Sequence, residues 1–324
     1  MYNNTYKAKE RTKPMTAITE RLNLKYPVFQ GAMAQISKHQ LAAAVSNAGG
    51  LGIIASGGMS AEELRREIQA CQKLTERPFA VNLMLMALNI PELVDIIIEE
   101  KVPIVTTGAG TPKKYMPQLK AAGIKVVPVV PSAKLAKKME DLGVDAVVAE
   151  GSEAGGHIGE LSTMVLVPQV VKAVNIPVIA AGGIANGQGM AAAFALGAQG
   201  IQMGTAFLLA EECPIPQNVK EFVANAGELD TAVTGRNSVA PVRSIKNKMI
   251  DQYLQWEKEE LPFEQLEKLT LGSARKAAAG DIENGSVMAG QVSGLVHEIK
   301  PAKEIIEDVL QEARETVKEL KIEF

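Results

Sequence analysis

The chain has 324 residues, 47% of them apolar and 22% charged, with a formal net charge of -3 and a pI near 5.8. This is enough chain for one large α/β domain or two smaller ones, in the composition of a soluble globular protein. The absence of any basic stripe argues against a nucleic-acid partner, and Cys71 and Cys213 make neither a disulfide framework nor a zinc pattern, so they are expected as reduced thiols in a cytoplasmic protein.

Residues 1–14, MYNNTYKAKERTKP, are polar and lack the apolar core of a secretory signal. They read as a disordered tail, or as an extension upstream of a start at Met15. Then come eight short, near-continuous apolar runs. YPVFQG begins at Tyr26, GLGIIAS at Gly50, PFAVNLM at Pro78 and PIVTTGAG at Pro103; IKVVPVV begins at Ile124, DAVVAEG at Asp145, IPVIAAGG at Ile176 and GIQMGTAF at Gly200. Runs of this kind are expected of parallel strands buried on both faces. Helical patterns fill the gaps. Ser37 is a candidate N-cap for the first, and Ser60 with Glu63 makes a capping box for the second. Strands and helices alternating in this way predict an α/β fold, a (β/α)8 TIM barrel, ahead of a doubly wound open sheet.

After the eighth strand the rhythm breaks. Residues 211–284 are expected to form a helical cap, or small domain, inserted into a barrel made by residues 15–210 and 285–324. The glycine-punctuated NGSVMAGQVSGLV leads back from Asn284. An amphipathic helix beginning at Pro301 closes the barrel, with Ile305, Ile306, Val309, Leu310, Ala313, Val317 and Leu320 on one face. The stretch from Ala173 to Ala210 carries no charge, but Pro177, Asn186 and several glycines argue against a membrane span. Burial explains it, and it is expected to contribute to a homodimer.

Active sites of such barrels lie at the C-terminal ends of the strands. Gly31-Ala32-Met33, Asn82, Thr106-Thr107-Gly108, Glu150, Gly182-Gly183 and Gln202-Met203-Gly204-Thr205 all fall there. Glycine pairs after strands seven and eight let backbone N–H groups approach a phosphate, and the Thr205 hydroxyl is a further donor. No metal-ligand spacing, nucleophile elbow or strand-end lysine is present. His39 and His297 read as surface residues. His157, in AEGSEAGGHIGE, is a lone imidazole among small residues at the predicted rim. Few side chains here can do redox or acid–base chemistry alone, so a phosphate-bearing cofactor is expected to carry the reaction.

VVAEGSEAGGHIGELSTMVLVPQVV, IPVIAAGGIANGQGMAAAFALGAQGIQMGT, IVTTGAGTPKKYM and NGSVMAGQVSGLV resemble the FMN-dependent enoyl-acyl-carrier-protein reductase II (FabK-type) family. That family shares its barrel with the nitronate monooxygenases (the 2-nitropropane dioxygenase superfamily). The resemblance runs from about Ile18 to about Leu320. It implies FMN contacts at Gly31, Ala32, Met33, Asn82, Glu150, Gly155, Gly183, Gln202, Met203, Gly204 and Thr205, and makes His157 the catalytic histidine. It further implies NADH as co-substrate, an enoyl-acyl carrier protein as partner, a role in fatty acid biosynthesis, and a monovalent cation as a candidate addition. The alternative activity is oxidation of alkyl nitronates with O2 on the same FMN. Glu150 follows the reductases, where nitronate monooxygenases commonly have glutamine. Two positions depart from the reductase pattern: Gln35 stands where an aromatic residue is usual, and Ala206 where arginine is usual. Met33, Met84, Met86, Met203 and Met288 are candidates to line an acyl channel. Arg243, Lys246 and Lys248 are candidates to dock the acidic carrier.

Overall fold

The predicted strand-and-helix alternation is present in the computed structural model, which describes residues 17–236 and 240–320. The expected tail and Met15 lie outside the described residues. A short helix α1 (Ile18–Leu22) precedes β1 (Val28–Gln30), α2 (His39–Asn47), β2 (Gly52–Ala55), α3 (Ala61–Leu74) and β3 (Phe79–Met84). Next come α4 (Ile90–Glu99), β4 (Ile104–Gly108), α5 (Met116–Ala121), β5 (Lys125–Val130), α6 (Ala133–Asp141) and β6 (Val147–Glu150). A two-residue strand β7 (Gly156–His157) leads to α7 (Thr163–Ala173), β8 (Val178–Ala181), α8 (Gly187–Ala195) and β9 (Gly200–Met203).

Eight of these strands pair in parallel, in the order β1-β9-β8-β6-β5-β4-β3-β2. A bridge between Phe29 and Leu51 joins the two ends, so the sheet closes into the expected (β/α)8 TIM barrel. The strand pleat sorts the side chains. Phe29, Ile53, Ala80, Ile104, Val148 and Ile179 form one cluster that fills the lumen, together with Ile18 and Leu22 of α1. Their neighbours Val28, Ile54, Val81, Val105, Val147 and Ala180 belong to the outer cluster beneath the helices. Burying each large aliphatic side chain contributes about 1.5–3 kcal/mol, which offsets a backbone ordering cost of about 1–2 kcal/mol per residue.

The Ser60–Glu63 capping box forms as predicted, with Glu63 N donating to Ser60 Oγ at 3.2 Å and Ser60 N to Glu63 Oε2 at 2.7 Å. Ser37 does not cap α2, whose N-cap is Lys38. Its hydroxyl is buried and accepts instead from Gln30 Nε2 at 2.8 Å and from Met33 N at 2.9 Å. It ties down the loop after β1.

Beyond β9 the chain forms α9 (Thr205–Leu208) and α10 (Gln217–Ala224), then β10 (Thr231–Thr234), β11 (Val242–Ile245), α11 (Lys248–Lys258), α12 (Phe263–Thr270) and α13 (Ser273–Ala278). This segment holds helices together with two strands that the sequence did not announce. β10 pairs antiparallel with β11, and β11 pairs antiparallel with β7. The cap thus reaches back into the loop that follows β6.

The closing helix α14 (Ala302–Glu319) buries Ala302, Ile305, Ile306 and Val309. Val317 and Leu320, expected on the same inward face, are each 64% exposed, because the helix runs past its support on α8. The two helices meet at Gly187, where an added Cβ would lie 2.2 Å from the Ala313 nitrogen. The Gly187 N–H also donates to Glu312 Oε2 at 2.6 Å. Gly187→Ala should therefore destabilise the fold by about 2 kcal/mol or more through overpacking. Equal urea midpoints for variant and parent would contradict this packing.

Candidate functional site

In-register residues of adjacent parallel strands share a face, which fixes what the open end of the barrel contains. Glu150 lies beside Ala181, Ala181 beside Gln202, and Gln202 beside the lumen residue Phe29. On the opposite wall Asn82 lies beside Thr106, and Asn82 Nδ2 donates to Thr106 Oγ1 at 2.9 Å. Asn82, Thr106, Glu150 and Gln202 thus form a polar layer above the apolar filling, at the C-terminal ends of the strands. Four polar side chains crowning a dry core are poor packing but good ligand recognition.

The loop after β1 is held rigidly against β9. Gly31 N donates to the Met203 carbonyl at 2.8 Å, while Gln30, fully buried, receives Ile53 N on Oε1 at 3.0 Å. Ala32 packs on the lumen cluster and Met33 on the outer one. Gln35 takes a left-handed conformation, φ 67°, and its amide donates to the Gly57 carbonyl at 3.1 Å. Met203 meets the site through its backbone alone. Its side chain is 1% exposed in the outer cluster, so it cannot line an acyl channel.

At the ends of β8 and β9 the backbone is presented openly. Gly182 and Gly183 both have positive φ, at 83° and 70°. A Cβ on Gly204 would meet nothing within 4 Å, and the same holds for Gly108 at the end of β4. Thr205 is buried, and its Oγ1 accepts the Gly290 N–H at 2.9 Å, leaving its proton free to donate. Ala206 is buried in the outer cluster, so no side-chain cation stands there. An anion at this end would be bound by N–H and O–H groups.

Glu150 is the one titratable member of the polar layer, and its carboxyl makes no hydrogen bond or ion pair among the described residues. Burial pushes it up to about 7. The residue keeps partial exposure through the mouth although its carboxyl counts as interior. A carboxyl raised in the folded state loses stability as pH rises: the cost is absent below about 4.5, grows towards 7 and is complete above it. It reaches about 3 kcal/mol, an upper figure because solvent enters from the mouth. Glu150→Gln should therefore raise the melting temperature of flavin-free protein at pH 8, with the gain shrinking towards pH 4.5. Parallel melting curves at every pH would contradict an unpaired interior carboxyl.

The loop that carries the histidine is built from both sides. Glu153 accepts from Thr163 N and Thr163 Oγ1, each at 3.0 Å, and so caps α7, whose N-cap Ser162 makes no such bond. Thr163 Oγ1 also lies 2.8 Å from the Gly182 carbonyl, joining this cap to the end of β8. Gly155 lies so close to the return loop that a Cβ would sit 2.6 Å from the Ala289 carbonyl carbon. Gln291 N donates to the Glu153 carbonyl at 2.9 Å. His157, paired with Val242, is exposed, and its imidazole has no hydrogen bond among the described residues.

Arg243 proves to be the residue most misplaced by sequence reasoning. It is 7% exposed and cannot belong to a docking patch. Desolvation lowers its pKa, nearby Arg236 adds repulsion, and Glu153 opposes both. Lys246 and Lys248 are exposed, Lys248 in an ion pair with Glu283 at 2.6 Å. Met84 and Met86 are exposed on the rim after β3, and Met288 abuts Gly156. No cluster of His, Cys, Asp and Glu suited to a metal occurs among the described residues, and no helix among them is long and apolar enough to cross a membrane.

The nitronate monooxygenase family model matches residues 15–92 and 85–312. FabK from Thermotoga maritima is 48% identical with a TM-score of 0.91, the match covering 94% of this chain and 98% of that one. The "Probable nitronate monooxygenase" of Staphylococcus saprophyticus is 36% identical, over 94% of this chain and 99% of its own. The "(3aS,4S,5R,7aS)-5-hydroxy-7a-methyl-1-oxo-octahydro-1H-indene-4-carboxyl-CoA dehydrogenase" of Rhodococcus jostii is 40% identical, over 73% of this chain and 67% of its own.

Proposed function

The chain belongs to the nitronate monooxygenase family, and within it we propose an FMN-dependent reductase that uses NADH to reduce trans-2-enoyl-acyl-carrier-protein thioesters. The observation that carries this reading is the 48% identity to FabK across nearly the whole of both chains. Glu150, in the motif position where the two branches of the resemblance differ, supports it.

The residues fit FMN. Asn82, Glu150 and Gln202 would offer donors and acceptors to the flavin, and Gly31, Ala32, Met33 and Gly155 would help to hold it. The N–H groups of Gly183, Gly204 and Thr205, with the Thr205 hydroxyl, suit its phosphate. The open space over Gly108 and Gly204 is room that side chains do not fill. Bound FMN supplies two-electron chemistry, which no side chain of this site can.

The chain's own part is to hold substrate and move a proton. Reduction adds a hydride to the β-carbon of the enoyl thioester and a proton to its α-carbon. Negative charge builds on the thioester oxygen, and a donor aimed at it lowers the barrier. His157, exposed and with no hydrogen bond to its ring among the described residues, is that donor or the proton source. Exposed Lys246 provides positive charge for an acidic carrier, whereas the charge of Lys248 is paired with Glu283.

A second reading has its own support, since the family model and the Staphylococcus relative carry the name nitronate monooxygenase. One paired assay separates the two. Anaerobic NADH oxidation that depends on a crotonyl thioester is expected. Oxygen uptake with an alkyl nitronate, without NADH and without thioester turnover, would select the second reading.

A further inference from the structure

We infer that Arg243 is a positioning residue for His157, a side chain that reaches from β11 to the histidine loop and sets the histidine's place. The inference rests on the reading of His157 as the proton-handling group.

α7 and the return loop hold Glu153 and Gly155, but the histidine's own backbone is held by β11. The histidine follows six residues of Gly, Ser, Glu and Ala after the glutamate that ends β6, and its own strand is two residues long. That strand exists only as a partner of β11, in the register Val242–His157 and Arg243–Gly156. Ile158 N adds a bond to the Pro241 carbonyl at 3.1 Å.

From this strand Arg243 reaches across the loop. Its Nη2 and Nε donate to the Ser152 carbonyl at 3.1 and 3.4 Å, and Nη1 donates to Thr231 Oγ1 at 3.2 Å. One planar group therefore spans β10 and the start of the histidine loop, 91 residues away in sequence. β11 is itself anchored, since Ser244 Oγ lies 2.7 Å from Ser286 Oγ and Ile245 N donates to the Val287 carbonyl at 2.9 Å. The chain Val287–β11–Arg243–Ser152 fixes both ends of the segment from Ser152 to Ile158.

A lysine could keep the charge but not the fork that grips one carbonyl with two N–H groups and a hydroxyl with a third. A guanidinium buried with neutral acceptors and no carboxylate in contact is costly for stability alone. Its value lies in geometry.

The test uses the FMN-loaded enzyme and the variants Arg243→Lys, Thr231→Val and His157→Ala. Stopped-flow separates flavin reduction by NADH, which His157 does not serve, from reoxidation by crotonyl thioester, which it does. Arg243→Lys should slow reoxidation about tenfold to a hundredfold, as misplacement of a reacting group by about an ångström does. Thr231→Val should slow it less, and neither should change flavin reduction more than about twofold. Combined with His157→Ala, Arg243→Lys should add nothing, because the group it positions is gone. Equal slowing of both half-reactions, or effects that multiply in the double variant, would overturn the assignment and leave Arg243 a general stabiliser.

A second arm is independent of substrate. The chain has 3 histidines, so their ring signals can be assigned by NMR with the His157 variant. Arg243→Lys should move the His157 signal and leave those of His39 and His297 in place. An unmoved His157 signal overturns the inference, whereas absence of thioester turnover in the parent enzyme would overturn only the proposed function.

Discussion

On the proposed function, His157→Ala enzyme should stay yellow, should still be reduced by NADH, and should lose about a hundredfold to ten-thousandfold in reduction of the enoyl thioester. The imidazole makes no hydrogen bond among the described residues, and the loop's position depends on backbone pairing with β11 and on Arg243, so removing the ring should leave the scaffold standing. The loss should fall on the acyl half-reaction, where a proton must reach the α-carbon while charge develops on the thioester oxygen. Single-turnover absorbance of the flavin reports each half-reaction separately. Thioester reduction at the parent rate would remove His157 from the chemistry.

Gly204→Val separates fold from cofactor at the phosphate end. The position has φ near -105°, an ordinary value for any residue, and a Cβ there would touch no protein atom within 4 Å. The flavin-free variant should therefore melt within about a degree of the parent, since surface-like substitutions cost about 0.5 kcal/mol or less. Its isopropyl group occupies the space over the Gly204 and Thr205 N–H groups. Losing one or two hydrogen bonds to a charged phosphate, at about 1.5–3 kcal/mol each, weakens FMN by roughly tenfold to a thousandfold or more. Flavin content after gel filtration, with fluorescence titration of the stripped protein, measures it. Parental affinity would place the phosphate elsewhere.

The barrel was legible because its strands are buried on both faces. GLGIIAS and DAVVAEG leave no alternative to a central parallel strand, and glycines mark where they end. The candidate site residues follow from the rule that such strands present their C-terminal ends, and register gathers Asn82, Glu150 and Gln202 into one layer. The cap was harder to read. Thr231–Thr234 is half-exposed, and its sheet is completed by Gly156–His157, a strand of two residues distant in sequence. No periodicity can announce that pairing. Arg243 was misread for a related reason: arginine is nearly always at the surface, and only tertiary contacts reveal a buried one. Ser37 looked like a cap because it precedes a helix, yet a buried glutamine claims its hydroxyl. Val317 and Leu320 keep the helical stripe beyond the point where α8 offers support.

The three-stranded sheet shared by cap and loop also sets an order of assembly. Every contact within the barrel up to β9 can form once about two-thirds of the chain has been made, but the anchors of the histidine segment lie at Val242, Arg243 and Gln291. Closing such distant contacts is slow relative to local pairing. During synthesis the histidine loop is therefore among the last parts of the molecule to find its place, after the flavin-facing strands are complete. Maturation of the site is in effect a late folding event, and hydrogen exchange during refolding should show the Gly156 and Ile158 amides, which face β11 in the antiparallel register, protected after those of β2 to β5.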